Sequence, residues 1–481
     1  MNPNDLLTIL PLIVLTGWAC VLLLVDLFIP PDRKGWTAGL AALGMIASIV
    51  IALSRFGQAS QAFSGMVIED GFSSFVNVLA LASGVVSIAL AYDYLKRMHL
   101  ERGEYYMLMM FSISGVMLMA MAADLIVVFL ALELISLPLY VMAGIARPQR
   151  ESEEAALKYF LLGAFSTGFL VYGVALVFGA AGSTSLSAIA AAAGNGSANL
   201  VLLSVGAGLL LIGLGFKVAA VPFHMWTPDV YQGAPSAVTA FMSVGAKLGG
   251  FAALLRVFTL AFPAIADKMT PVFWVLAALT MILGNLVAIV QNNVKRLLAY
   301  SSIAHAGYVL MALVVIGQKN LATDAVSAAL FYLMAYAFTN LGAWAVVITL
   351  ERAEGKGLEI DDYAGLARKY PGLAAAMVVF MLSFIGVPPT LGFLGKFYLF
   401  RTVIQGGYVS LAIIGVLTSL ISAYYYLRIV VVMYMQEGEP QAHREPWLMT
   451  TTALAAAGTL VLSLASAPLF NWVSQAVLRL F

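Results

Sequence analysis

One cysteine, four histidines and few charges in 481 residues exclude much of redox, metal and nucleic-acid chemistry. Cys20 is the only thiol, and one thiol neither holds an iron–sulfur cluster nor closes an internal disulfide. His99 and His443 fall in charged loops, so bis-histidine haem ligation would have to use His224 and His305 alone, and we do not expect it. No two His or Cys share a helix face at i, i+3 or i, i+4 spacing, which gives metal binding little support. Charged residues make up 10% of the chain and the net charge is +1, so no nucleic acid or other polyanion is an expected partner. No GxxxxGK[ST] loop is present, so nucleotide chemistry has no motif to rest on. If the protein serves a redox system, the electrons run elsewhere.

What is abundant is apolar sequence. With 62% hydrophobic residues and a mean hydropathy of +0.96, the chain reads as an all-α polytopic membrane protein. Windows of about 20 apolar residues recur with short breaks. Fourteen are expected: 6–29, 37–56, 72–92, 105–122, 125–145, 155–178, 201–219, 237–260, 272–291, 297–316, 325–350, 373–400, 411–435 and 450–469. The connection at Asp124 is the shortest, and merging it would leave thirteen. The first window is too long for a signal-peptide core and lacks a basic flank, so it reads as a retained span. Alternate loops carry Arg33 and Lys34; Lys96, Arg97 and Arg102; Arg147 and Arg150; Lys295 and Arg296; Arg352, Lys356, Arg368 and Lys369; and Arg444. The intervening loops hold about one basic residue each, and residues 180–199 hold none. The basic set should be cytoplasmic, which puts both termini outside, in the periplasm of a bacterial inner membrane.

Two segments are interrupted. The seventh runs into Lys217-Val-Ala-Ala-Val-Pro222-Phe-His224, and the twelfth contains Gly386-Val-Pro388-Pro389-Thr-Leu-Gly392. Proline removes a backbone donor and clashes with the preceding turn, so each helix must break there. At membrane depth the freed carbonyls must be satisfied by protein or water, so such breaks line cavities. The breaks lie five segments apart with a lysine near each, and an odd interval inverts the repeated unit. This predicts two inverted five-helix repeats, segments 4–8 and 9–13. The expected division is an N-terminal three-helix segment (1–104), a first repeat (105–260), a second repeat (261–436) and a C-terminal helix (437–481).

Glu133, Lys217, Lys247 and Lys396 each sit inside sequence otherwise apolar enough to be membrane helix. A charge at mid-bilayer costs about 2.5–3.5 kcal/mol on insertion scales, so four imply roughly 10 kcal/mol that packing alone does not explain. Glu133, unpaired in a dry helix, would take up a proton; beside a cation it can stay charged. Lys217, bordering a break, is its expected partner, though a static ion pair would look the same. Lys247 is too deep to snorkel, and a buried lysine can release its proton. Lys396 follows the same logic beside the second break. Lys158 follows Glu154 by four residues, so an ordinary i,i+4 surface pair fits it as well as a relay role. Lys295, beside Arg296, is by default an orientation charge with a relay role as the alternative. His224 and His305 can exchange protons near neutral pH. His305 lies in the polar run Tyr300-Ser-Ser-Ile-Ala-His305-Ala-Gly-Tyr308, which suits a hydrated relay; Ser and His also hold helices together.

The stretch Gly215-Phe-Lys217-Val-Ala-Ala-Val-Pro222-Phe-His224-Met-Trp226-Thr-Pro228-Asp229-Val-Tyr-Gln-Gly-Ala-Pro235 resembles the signature of the antiporter-like subunits of respiratory complex I and of multisubunit sodium/proton antiporters. So does Gly386-Val-Pro388-Pro389-Thr-Leu-Gly392-Phe-Leu-Gly-Lys396-Phe, and the similarity spans essentially the whole chain. The large terminal subunit of complex I carries a long lateral helix that 481 residues do not accommodate, and the middle subunit typically has glutamate where Lys396 stands. The third antiporter-like subunit is the most similar. The resemblance implies a key glutamate at Glu133, lysines at Lys217, Lys247 and Lys396, and a bridging histidine at His305. It also implies other complex I subunits and the lipid bilayer as partners, with NADH, FMN, iron–sulfur clusters and quinone handled by those subunits and no cofactor in this chain. The expected function is proton translocation through a Glu/Lys/His relay driven by redox chemistry elsewhere. The alternative is a subunit of a cation/proton antiporter. A stand-alone solute transporter fits the repeat but not the charges, because a solute site wants varied polar groups around the breaks.

Overall fold

The computed structural model describes residues 3–30 and 33–477. Among the described residues twenty α-helices follow one another: α1 (Pro3–Thr8), α2 (Leu10–Asp26), α3 (Gly35–Ser54), α4 (Gly71–Arg97), α5 (Gly103–Met121), α6 (Leu125–Ala143), α7 (Arg150–Ala181), α8 (Leu186–Gly194), α9 (Leu200–Val218) and α10 (Trp226–Gly233). Then come α11 (Ser236–Leu260), α12 (Ala266–Ile289), α13 (Val294–Val315), α14 (Ala322–Leu350), α15 (Leu366–Lys369), α16 (Pro371–Ile385), α17 (Leu391–Gln405), α18 (Val409–Met435), α19 (Pro446–Leu464) and α20 (Ser466–Val477). Among the described residues twelve helices are long and apolar enough to cross a membrane, and α2 and α16 are shorter apolar helices. The protein is a multi-pass α-helical membrane protein.

The apolar windows and the helices coincide closely, with local departures. The first window bends at Ile9, and the last divides at Ala465. The stretch at Asp124 is a true break: its carboxylate caps α6 by accepting from the Ile126 amide at 2.8 Å. Residues 180–199 are not bare loop but carry α8, built on the alanine run at 190–193. The loop after α3 holds a two-stranded antiparallel hairpin, β1 (Ser60–Ala62) and β2 (Val67–Glu69), so the chain is not purely helical.

Loops sort onto two ends of the bundle. At one end, β2 bridges to Ala122 and Asp124 bridges to Ser185. At the other, Asn293 bridges to Glu359, Arg97 binds Glu445 at 2.5 Å, and Lys158 and Arg296 both reach Asp229. The second end gathers the basic loops, as alternation demands. Helices α11, α13 and α14 are apolar on nearly every side and wrapped by the rest, which is where an all-round apolar helix must go. Their crossings are close. A Cβ at Gly307 of α13 would meet the Met281 amide of α12 at 2.7 Å, and one at Gly284 would meet the Ala304 amide at 2.7 Å.

Candidate functional site

Both interruptions are real, and carbonyls freed at the two breaks are met in different ways. Helix α9 ends on Ala219 in the left-handed region (φ 61), and the chain turns before α10 begins at Trp226. There the Trp226 indole N–H donates to the Phe216 carbonyl at 2.9 Å. Helix α16 ends on Gly386 (φ 88), a conformation glycine adopts without Cβ strain, and α17 restarts with Thr390 as its cap. Here a lysine does the work: Lys396 Nζ donates to the Phe384 and Ile385 carbonyls at 2.8 and 2.9 Å and to Ser419 Oγ at 2.6 Å. A cation on the carbonyl end of a helix also complements its dipole. Lys396 borders a cavity of about 320 Å³ that opens between α16, α17 and α18.

Lys217, Lys247, Lys295 and Lys396 are all 2–4% exposed, and none is in an ion pair among the described residues. Their charges are met by hydroxyls and carbonyls. Lys247 Nζ donates to the Ser302 carbonyl on α13. Ser302 Oγ accepts from Tyr336 at 3.0 Å, and Ser243 Oγ, one turn before Lys247, accepts from Asn340 at 2.5 Å. His305, one turn beyond Ser302, meets Tyr332 OH through Nδ1 at 2.5 Å and Tyr426 OH through Nε2 at 3.1 Å; Tyr426 also meets Ser301. Both imidazole nitrogens are therefore engaged, each by a group that can donate or accept. The ring of Tyr308 packs beneath Lys396 Nζ, 4.5 Å away. The polar run from Ser301 to Tyr308 thus faces the gap between Lys247 and Lys396.

The expected contact pair of Glu133 and Lys217 is not formed. Lys217 Nζ donates to Ser136 Oγ at 2.8 Å and Tyr159 OH at 3.2 Å, while Glu133 accepts from Thr167 at 2.8 Å. Ser136 lies one turn from Glu133 on α6, and the two charges remain within electrostatic reach of each other. The physical reason is the facing of α6. Glu133 is half-buried on the stripe that carries the exposed Ile126, Leu130, Leu137 and Val141, turned to the outer surface and away from Lys217.

Lys158 forms the expected i,i+4 pair with Glu154 at 2.6 Å and also reaches Asp229 of α10 at 2.7 Å. Arg296 joins the same carboxylate at 2.8 Å, tying α7 and α13 to the far side of the first break. Lys295 does not behave as a surface orientation charge; it is buried and donates to the Ala234 carbonyl at 2.7 Å. His224 is half-buried in the turn after α9, with Nδ1 buried and unpartnered, and none of the hydrogen bonds described above for the lysine row reaches it. Sequence reasoning missed Ser136, Tyr159, Tyr332, Tyr336, Ser419 and Tyr426. Tyrosine and serine inside apolar windows pass as ordinary helix residues, and only the run at 300–308 signalled them. Among the described residues no cluster of three or more His, Cys, Asp or Glu could hold a metal ion.

Residues 122–422 match the model of the NADH:quinone oxidoreductase/Mrp antiporter transmembrane family. A relative from Chloroflexus aggregans, NADH-quinone oxidoreductase subunit N, is 47% identical over 99% of this chain and 98% of its own length. This chain belongs to the subunit N family of NADH-quinone oxidoreductases. A chain of the respiratory complex I of Thermus thermophilus with bound aureothin is 36% identical, with a TM-score of 0.82 over 96% of this chain and 98% of that one. A chain of the Mrp complex from Dietzia has the same TM-score over 99% of this chain and 97% of its own, at 20% identity, and shares the fold alone. The subunit N family is therefore the more specific placement, and the buried lysines are features of a subunit N chain.

Proposed function

We propose that this chain is a proton-translocating membrane-arm subunit of NADH:quinone oxidoreductase, in which protons pass along Lys217, Lys247, His305 and Lys396. One observation carries the reading: four buried lysines are held by hydroxyls and carbonyls and not by carboxylates. A lysine locked to a carboxylate is a static charge, whereas one held by groups that also donate and accept can lose and regain a proton. A single cysteine cannot hold an iron–sulfur cluster, and in this reading NADH, FMN, iron–sulfur clusters and quinone belong to partner subunits. Glu133, on an outward face of α6, is where a neighbouring subunit would act. Separating it electrostatically from Lys217 drives that proton towards Lys247.

In the same reading α9 with α10, and α16 with α17, count as single broken spans. With α2 and the remaining long helices they make fourteen crossings. Segments 105–260 and 261–436 then form inverted repeats, and both termini face the periplasm of a bacterial inner membrane. Lys158 and Lys295 serve the cytoplasmic side, and His224 has the weakest claim. The test is purification of this chain from native membranes by mild detergent. Co-purification with flavin and iron–sulfur subunits is expected; co-purification with only other antiporter subunits contradicts the proposal.

A further inference from the structure

The end of the bundle that gathers the basic loops holds a cavity of about 680 Å³, with Lys158 and Asp229 on its wall and Lys295 and Glu351 on its buried side. Glu351, where α14 ends, takes no part in the relay described above. It is only 4% exposed, and among the described residues its Oε2 is buried with no hydrogen-bond partner at ordinary contact geometry. A purely structural carboxylate at such depth has both oxygens engaged, because an orphaned buried acceptor is costly. The Tyr94 hydroxyl is placed to donate to the Glu351 carboxylate, and Lys295 and Tyr363 lie within its electrostatic reach.

Tyr94 lines the same cavity, and its hydroxyl accepts from the Ser236 amide at 3.1 Å. Ser236 opens α11, and its own hydroxyl is buried and unpartnered. Seven residues on is Ser243, and four beyond that is Lys247. Those intervals keep all three on one helix face, spanning about 16 Å along the axis. The face carrying Ser236, Ser243 and Lys247 therefore leads from the cavity wall to the central lysine, with hydroxyls at two points along it.

We infer that Glu351 takes protons from this cavity and passes them, through Tyr94 and the Ser236–Ser243 face of α11, to Lys247. The inference rests on the proton-translocating reading above. The carboxylate binds a proton from solvent, releases it inward and returns to its charged form.

The test uses inside-out membrane vesicles carrying the complete complex, with NADH-driven acidification followed across a range of external pH. Glu351→Gln is expected to pump near normally at acidic pH and to lose pumping progressively as external protons become scarce. Glu351→Ala should show the same loss and recover with added formate, a small carboxylate that fits the cavity. Glu351→Asp should retain the wild-type profile, as should Glu354→Gln, whose exposed carboxylate lines the same cavity. Should Glu351→Gln fail to assemble, Tyr94→Phe keeps the ring and is expected to reproduce the alkaline loss. A flat profile in assembled Glu351→Gln, or loss at every pH without formate rescue, overturns the inference. Lys247→Ala separates the levels: if it too pumps normally, the translocation reading has failed; if it alone fails, only the role of Glu351 falls.

Discussion

A lysine held by a serine carbonyl deep among apolar helices costs stability when charged, and the proposed proton relay gives that cost a purpose. Lys247 is the extreme case, on a helix wrapped by others. Lys247→Ala is expected to abolish this subunit's share of pumping with the complex still assembled. The Glu133–Lys217 relation is less direct. Since Glu133 and Lys217 remain within electrostatic reach, Glu133→Gln and Lys217→Ala should each impair pumping, with the double change costing less than the sum. Ser136→Ala should weaken that coupling. Strict additivity in the cycle would show two independent groups. At this scale the sequence announced the charges and not their partners. An apolar window reveals that a lysine is out of place, because the mismatch lies in the residue itself. Which hydroxyl meets it depends on helix rotation, and a window reads hydropathy with no knowledge of facing. The Glu133–Lys217 contact was not legible for that reason, and nothing in a hydropathy window marks Glu351 as buried.

Among elements, the crossing of α12 and α13 and the anchoring of α4 against α11 matter most. Gly307→Val would drive side-chain atoms into the Met281 backbone, pushing α12 from α13 and displacing Ser302 and His305. Pumping should fall sharply while helix content by circular dichroism stays unchanged; normal pumping would show that the crossing tolerates separation. The buried pair of Arg256 and Asp70, bidentate at 2.8 and 2.9 Å, has a structural part. Asp70 also caps α4 through Ser73, so Arg256→Ala leaves a buried carboxylate uncompensated. A loss of about 3–5 kcal/mol is expected, read as a lowered unfolding temperature of the complex in detergent. An unshifted transition would mean that the pair contributes nothing net. Helix positions and both breaks were readable in advance, because hydropathy and proline act locally. The β1–β2 hairpin and α8 were not, since each is set by what the opposite loops present to it.

For the molecule as a whole, the proposed function gives the chain a proton route and leaves the redox chemistry to partner subunits. The purified subunit in liposomes is expected to catalyse no NADH or quinone chemistry and to show at most passive proton leak. Redox turnover by this polypeptide alone would overturn that division of labour. The central claim is that the buried lysines carry protons and do not merely hold charge. It is tested most directly by Lys247→Arg in the assembled complex, with protons moved measured per NADH oxidised. Arginine keeps the positive charge and much of the side-chain volume but cannot release a proton at accessible pH. The account expects this ratio to fall nearly as far as in Lys247→Ala; a wild-type ratio in the arginine variant would contradict it.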